Sequence, residues 1–452
     1  METQYINRIS ATLSLSVNQV KNVAQLHSEG STVPFISRYR KEATGNMDEV
    51  QVNNVIEQIE YFEDLKKRKE TVLKTIEAAG KLDDALRSRI ENCYDTTTLE
   101  DIYLPYKPKR KTRALAAMEK GLEGLANLIF DQRCTDPSAE ANAFLNAEVA
   151  DINAALQGAR DIIAERVAEN EEARNLVRTA FDKEARLYSK VINGKKDTEE
   201  AQKFRDYFEW EEPLASCPSH RLLAIRRGEK EGFLSMDIRI ETEPVVEGLK
   251  KIFIKAKSNC GEEMILAIED AYDRLLKSSI ENEYRLISKS GADEDAIKVF
   301  AENLKQLLLS SPLGSKRILA LDPGFRSGCK LVCLDEQGGL VYNTNIYPHP
   351  PQQHIAESIG TLKDLVEKYN IEAIGIGNGT AGRETESLIR SIDFGRKINI
   401  YQVNESGASI YSASQVARDE FPDQDVTVRG AVSIGRRLLD PLSELVKIDA
   451  KS

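Results

Sequence analysis

Around residue 310 the spacing of apolar residues changes period, and that change restricts the chain to a fold in two parts. Upstream, Val52, Val55, Ile56, Ile59, Phe62 and Leu65 recur at steps of three and four. Val72, Leu73 and Ile76 continue the stripe as far as Gly80. Such spacing lines one face of a helix and predicts a packing surface. Gly30 stops the preceding helix, and Pro34 suits the first turn of the next. Helical patterning holds over residues 1–310 with one interruption, "RLLAIRRGEKEGFLSMDIRI". Two β-favouring runs flank a charged turn with Gly228 and Gly232 there, which predicts a small β-hairpin near 221–240.

The segment "SSPLGSKR", residues 310–317, is small, polar and punctuated by Pro312 and Gly314, and marks the boundary. Beyond it "RILALDPGF", "GCKLVCLD" and "GLVYNTNIYP" read as three strands in quick succession. A helix follows at about 353–369, then the strand "EAIGIGN", a helix from Arg383 and the strand "KINIYQVN". Helices over about 407–419 and 431–447 complete a second domain, 317–447. Gly377, Gly379 and Gly382 fall in the spacing G-x-G-x-x-G. A dinucleotide turn with that spacing belongs after the first strand of a parallel sheet. Here it follows a three-strand meander and a helix, so a ribonuclease-H-like mixed sheet is favoured over a nicotinamide-cofactor fold. The glycines then serve a tight turn and close packing. The expected fold is multidomain, a mainly α N-terminal half followed by an α/β RNase-H-like domain.

Among 452 residues, 30% are charged and the net charge is −11, so the chain as a whole is no generic polyanion binder. A nucleic-acid surface would have to be a local basic patch. The six cysteines form no C-x-x-C pair and read as reduced thiols of a cytoplasmic protein. "METQYINRISATL" lacks the apolar core of a signal peptide, and no run of eighteen apolar residues predicts a membrane span.

"LALDPGFRSGCKLVCLD", "IGNGTAGRETE" and "VNESGASIYSAS" resemble the YqgF, RNase-H-like, domain of the Tex family of bacterial transcriptional accessory proteins. "VPFISRYRKEATGNMDE", "TTTLEDIYLPYKPKRKTRALAAMEKGLEGLA" and "PSHRLLAIRRGEKEG" are similar to the family's other signatures, in the family's order. The resemblance implies a nucleic-acid-associated protein, RNA or DNA, that acts with RNA polymerase or ribosome-linked machinery. It also implies helix-hairpin-helix modules and an OB-fold after this region, whereas the chain stops at "LVKIDAKS"; a fragment and a natural short form both remain open.

Two basic clusters are candidate nucleic-acid sites. In "YKPKRKTR", Lys107, Lys109, Arg110, Lys111 and Arg113 follow Tyr103 and Tyr106. Pro105 and Pro108 hold the stretch extended, the cations suit phosphates and a tyrosine could stack on a base. The competing reading pairs these cations with Glu100, Asp101 and Glu119. In "ISRYRKEATG", Arg38, Arg40 and Lys41 form the second cluster. There the helical reading packs Ile36 and Tyr39 inward and pairs the arginines with the next helix. Arg221, Arg226 and Arg227 form a weaker third group, and Asn378 in the glycine loop is a further candidate contact.

The resemblance places acidic positions at Asp322, Glu405 and Asp440. Carboxylates on separate elements could hold two Mg or Mn ions for a metal-dependent nuclease, the alternative to a non-catalytic binding and scaffolding role that needs no cofactor. Each acid also has a local reason to be present: Asp322-Pro323-Gly324 is a turn sequence, Glu405 follows a suitable N-cap, and Asp440 precedes Pro441 as a cap would. His349 and His354 read as residues of a polar loop.

Overall fold

The computed structural model describes residues 2–109, 111–255 and 259–449. They form two compact units, Met1–Asp293 and Glu294–Ser452. The division falls inside the helix Lys277–Leu308 rather than at the polar segment that follows it.

In the first unit, reciprocal caps start two early helices. The Ser16 hydroxyl accepts from the Gln19 amide and the Gln19 side chain accepts from the Ser16 N–H, opening Val17–Ser28. Asp48 and Gln51 do the same for Glu49–Ala78. The latter buries the expected stripe from Val52 to Ile76, and each such side chain contributes about 1.5–3 kcal/mol when fully buried. Lys69 lies in the same stripe, and its ammonium donates to the Glu91 carbonyl at 2.7 Å, which offsets its desolvation.

A second core in this unit surrounds the helix Ile152–Ala168 and the sheet of β1 (Arg186–Val191), β2 (Glu209–Pro213) and β3 (Leu234–Arg239). The strands are antiparallel in the order β2-β1-β3. The hairpin expected near 221–240 is therefore corrected. Residues Ser219–Lys230 are helical, and β3 pairs with the distant β1. Leu222, Ile225 and Gly228 recur at three-residue steps on the buried face. Gly228 is a contact residue, not a turn: a Cβ there would lie 2.6 Å from the Leu234 side chain. The turn is at Gly232, φ +77°.

Asp101 joins two helices electrostatically. Its carboxylate accepts from Arg174 Nε at 2.7 Å and from both terminal nitrogens of Arg178, and Glu283 accepts from the same two arginines. Cys134 and Cys260 form a disulfide across 126 positions. That corrects the expectation of six reduced thiols; long-range pairing leaves no trace in local spacing. Cys93, Cys217, Cys329 and Cys333 are free.

The second unit holds a five-stranded sheet of β4 (Ile318–Asp322), β5 (Cys329–Leu334), β6 (Leu340–Ile346), β7 (Ala373–Gly377) and β8 (Asn399–Val403). Its order is β6-β5-β4-β7-β8. The first three strands form the antiparallel meander, and β4, β7 and β8 run parallel. Alternation along β4 sends Leu319 and Leu321 to one face, against Leu362 and Ile389. Ile318 and Ala320 face Val428, Ala431 and Val432 of the helix Val426–Leu439 on the other. The mixed sheet covered on both faces is the RNase-H-like arrangement. Because β4 lies at its centre, the ends of β4, β7 and β8 open onto one edge, and that edge carries Asp322, the glycine loop and Glu405.

Candidate functional site

Asp322 and Glu405 come together. Asp322 ends β4 and Glu405 follows β8, two strands away, and both line a cleft of about 270 Å³ with Ser409, Ser412, Thr427 and Gly430. Burial pushes the Asp322 carboxyl up to about 6, and the Glu405 charge adds to the rise. Lys330, its partner across the β4–β5 ladder, acts the other way.

The glycine spacing is explained by this pair. A Cβ at Gly379 would stand 1.7 Å from a Glu405 carboxylate oxygen, and one at Gly377 would stand 2.4 Å from the other. A Cβ at Gly382 would meet the Gly377 carbonyl at 2.5 Å. Glycine at 377 and 379 thus leaves the room in which the carboxylate sits. Asn378 contributes its side-chain oxygen, which accepts from the Glu405 N–H at 3.3 Å.

Arg437 holds the same acid from behind, and nothing in the sequence motifs singled it out. Its Nη1 donates to the carbonyls of Asn404 at 2.8 Å and Ser406 at 2.7 Å, the residues on either side of Glu405. The side chain is buried, and burial lowers its pKa against the opposing charges of Glu444 and Glu405. Its signal was an Arg-Arg pair inside an apolar helix, "AVSIGRRLL", where one arginine must face inward.

Asp440 does not join the pair. It caps the helix Pro441–Leu445, accepting from the Ser443 N–H at 3.0 Å. The helix residue that faces Asp322 is Gly430, whose added Cβ would lie 3.5 Å from Asp322 Oδ2. Asp440 is ten residues further along, about 15 Å at 1.5 Å per residue. The three-carboxylate expectation is corrected to two. Among the described residues no group of three or more His, Cys, Asp or Glu could hold a metal ion. The donor set does not fit the two-ion site that the nuclease alternative needs. His349 lies in a loop as expected but is buried there, its Nε2 2.7 Å from Thr385 Oγ1. His354 is exposed beside Glu357.

The basic stretch Lys107–Arg113 divides. Lys109 reaches the carboxylates of both Glu165 and Glu169 at 2.5 Å. Lys107, Lys111 and Arg113 are not buried and make no ion pair with a described residue; Arg110 lies outside the described residues. The competing reading named the wrong acids. Glu100 is taken by Arg68, and Asp101 by Arg174 and Arg178. Neither tyrosine is open for stacking on a base, since Tyr103 is buried and Tyr106 packs partly buried on the same core. The stretch borders a cavity of about 540 Å³ that also contains Arg174 and Arg274.

The cluster at Arg38, Arg40 and Lys41 reverses its helical reading. Ile36 is buried, but Tyr39 is 67% exposed, and none of the three cations pairs with a described carboxylate. Arg221, Arg226 and Arg227 are spent on Glu212, Glu229 and Glu231.

A helical unit followed by an RNase-H-like domain with a carboxylate pair at its strand ends defines a multidomain protein, mainly α and then α/β. Three family descriptions match in order: Tex-like protein N-terminal domain over residues 3–77, Tex central region-like over 132–300 and Tex protein YqgF-like domain over 316–439. The chain belongs to the Tex family.

An uncharacterized protein of Bacillus subtilis is 44% identical over the whole chain and 64% of its own length. The transcriptional accessory protein Tex of Neisseria gonorrhoeae is 42% identical over 98% of the chain and 59% of its own length. A human relative, S1 RNA-binding domain-containing protein 1, is 30% identical over 95% of the chain and 45% of its own length. The chain thus spans less than two thirds of these relatives. Among the described residues no helix is long and apolar enough to cross a membrane.

Proposed function

We propose that the chain is a nucleic-acid-associated, non-catalytic part of the transcription machinery, binding RNA or DNA in the cytoplasm with RNA polymerase or ribosome-linked factors as its protein partners. The observation that carries the reading is the set of cations Lys107, Lys111 and Arg113, which make no ion pair with a described residue, on a chain of net charge −11. Cations left without carboxylate partners on an acidic protein have a reason to be there if phosphates supply the counter-charge. The names of the Neisseria and human relatives, one a transcriptional accessory protein and one an S1 RNA-binding domain-containing protein, agree with it.

The test is anisotropy of labelled RNA and DNA across a salt series, with wild type beside Lys107→Glu/Lys111→Glu/Arg113→Glu. Duplex binding should weaken, and its salt slope should shrink by about 0.9 for each phosphate that is no longer neutralised. An unchanged slope would remove the stretch as the binding site. Cleavage of the labelled strands with manganese that disappears in Asp322→Asn would restore the nuclease alternative.

A further inference from the structure

We infer that the segment Val33–Lys41 is a stacking platform for single-stranded nucleic acid; this rests on the nucleic-acid reading above but names a second, chemically different contact. Phe35 and Tyr39 stand one helical turn apart on Val33–Tyr39, 38% and 67% exposed. Their rings lie 5.5 Å apart and tilted by 45°. Two aromatic faces left to solvent on one turn cost hydration free energy unless something covers them.

The surroundings say what the cover is. Arg40 sits with its guanidinium 5.1 Å from the centre of the Phe35 ring and donates to the Tyr39 carbonyl at 3.1 Å. Arg38 and Lys41 are not buried, and like Arg40 they pair with no described carboxylate; Glu42 is the acid next in sequence. Three cations without a described carboxylate partner, one of them stacked on Phe35, beside two exposed rings complement a chain that offers bases and phosphates alternately. Every base has a π-face, so an aromatic pair takes any sequence, and only an unpaired strand exposes those faces. Duplex nucleic acid would reach the cations but not the rings.

The platform is also held rigid, which lowers the cost of ordering it on binding. Ile36 is anchored in the core below it. The side chains of Gln19 and Asn22 donate to the carbonyls of Thr44 at 3.1 Å and Ala43 at 2.5 Å, fixing the chain just beyond the cations.

The experiment is anisotropy with labelled oligouridine, oligothymidine and a duplex of equal length. Phe35→Ala and Tyr39→Ala should each weaken single-strand binding by about fivefold or more, the worth of one stacked base, and leave duplex binding unchanged. Tyr39→Trp should retain single-strand binding, which separates a missing ring from a damaged fold. Unchanged single-strand affinity in the Phe35→Ala/Tyr39→Ala variant, while the Lys107/Lys111/Arg113 reversal abolishes binding, would overturn the platform and leave the basic stretch standing. The exposed rings would then suit a protein partner. Equal weakening for single strand and duplex would overturn the single-strand assignment. No binding by wild type would remove both readings together.

Discussion

Gly379 and Glu405 are so close that the glycine's missing Cβ is space the carboxylate occupies, 1.7 Å from one of its oxygens. Gly379→Ala should therefore displace Glu405 or the loop, at about 1–3 kcal/mol, the usual range for overpacking. With Glu405 displaced, the Asp322 carboxyl loses one of the influences that raise it and should titrate lower by NMR. Gly360, in the helix Ile355–Lys368, is the control, because nothing lies within 4 Å of its added Cβ. There the same substitution should gain about 0.5–1 kcal/mol from helix propensity. Equal effects at the two sites would refute the steric account.

Asp322 makes a signed prediction about pH. Its carboxyl is raised from 3.8 to about 6 in the folded protein, so below pH 4 it is neutral in both states and costs nothing. Between pH 4 and 6 the unfolded chain ionises while the folded one still holds its proton, and stability falls. Above pH 6 both are ionised and the cost levels off at about 3 kcal/mol. Asp322→Asn should raise the stability of the second unit at pH 7 and flatten its decline between pH 4 and 6. Denaturant titrations at a series of pH values would measure both.

Gly430 occupies the place from which a third carboxylate could face Asp322. Gly430→Asp should lower stability at pH 7 in the presence of a chelator, because it adds a like charge beside Asp322 and Glu405. Manganese should recover that stability, since three carboxylates on separate elements suit a hard cation better than two. Thermal unfolding with chelator and with manganese, for wild type and variant, gives the comparison. A manganese gain as large in wild type would show that the existing pair already suffices.

Lys109 is expected to act on stability where its neighbours act on affinity. Lys109→Ala leaves Glu165 and Glu169 facing one another without their cation, and burial already raises the Glu169 carboxyl. The destabilisation at pH 7 should be about 1–3 kcal/mol. It should shrink as pH falls and Glu169, whose carboxyl burial already raises, takes up its proton. Lys111→Ala, at a side chain that makes no ion pair with a described residue, should change stability by less than about 0.5 kcal/mol. Urea denaturation at pH 7 and pH 4.5 distinguishes the two.

Local periodicity carried much of this protein in its sequence. The stripe from Val52 to Ile76, the five strands of the second unit and their order along the chain, and Asp322 at a strand end all follow from short-range spacing. Each depends only on which way neighbouring side chains point along one element. Tertiary structure decided the rest, because it concerns groups that meet from far apart. Lys109 is neutralised by acids 56 and 60 positions along the chain. Arg437 grips the carbonyls on either side of Glu405 from 33 and 31 positions away. Gly430 rather than Asp440 faces Asp322, since helix pitch and packing angle choose the facing residue. The helix Val33–Tyr39 turns Ile36 inward and leaves Tyr39 outside. A sequence states which charges and rings a chain owns; only the packed fold decides which are consumed internally and which are left for a partner.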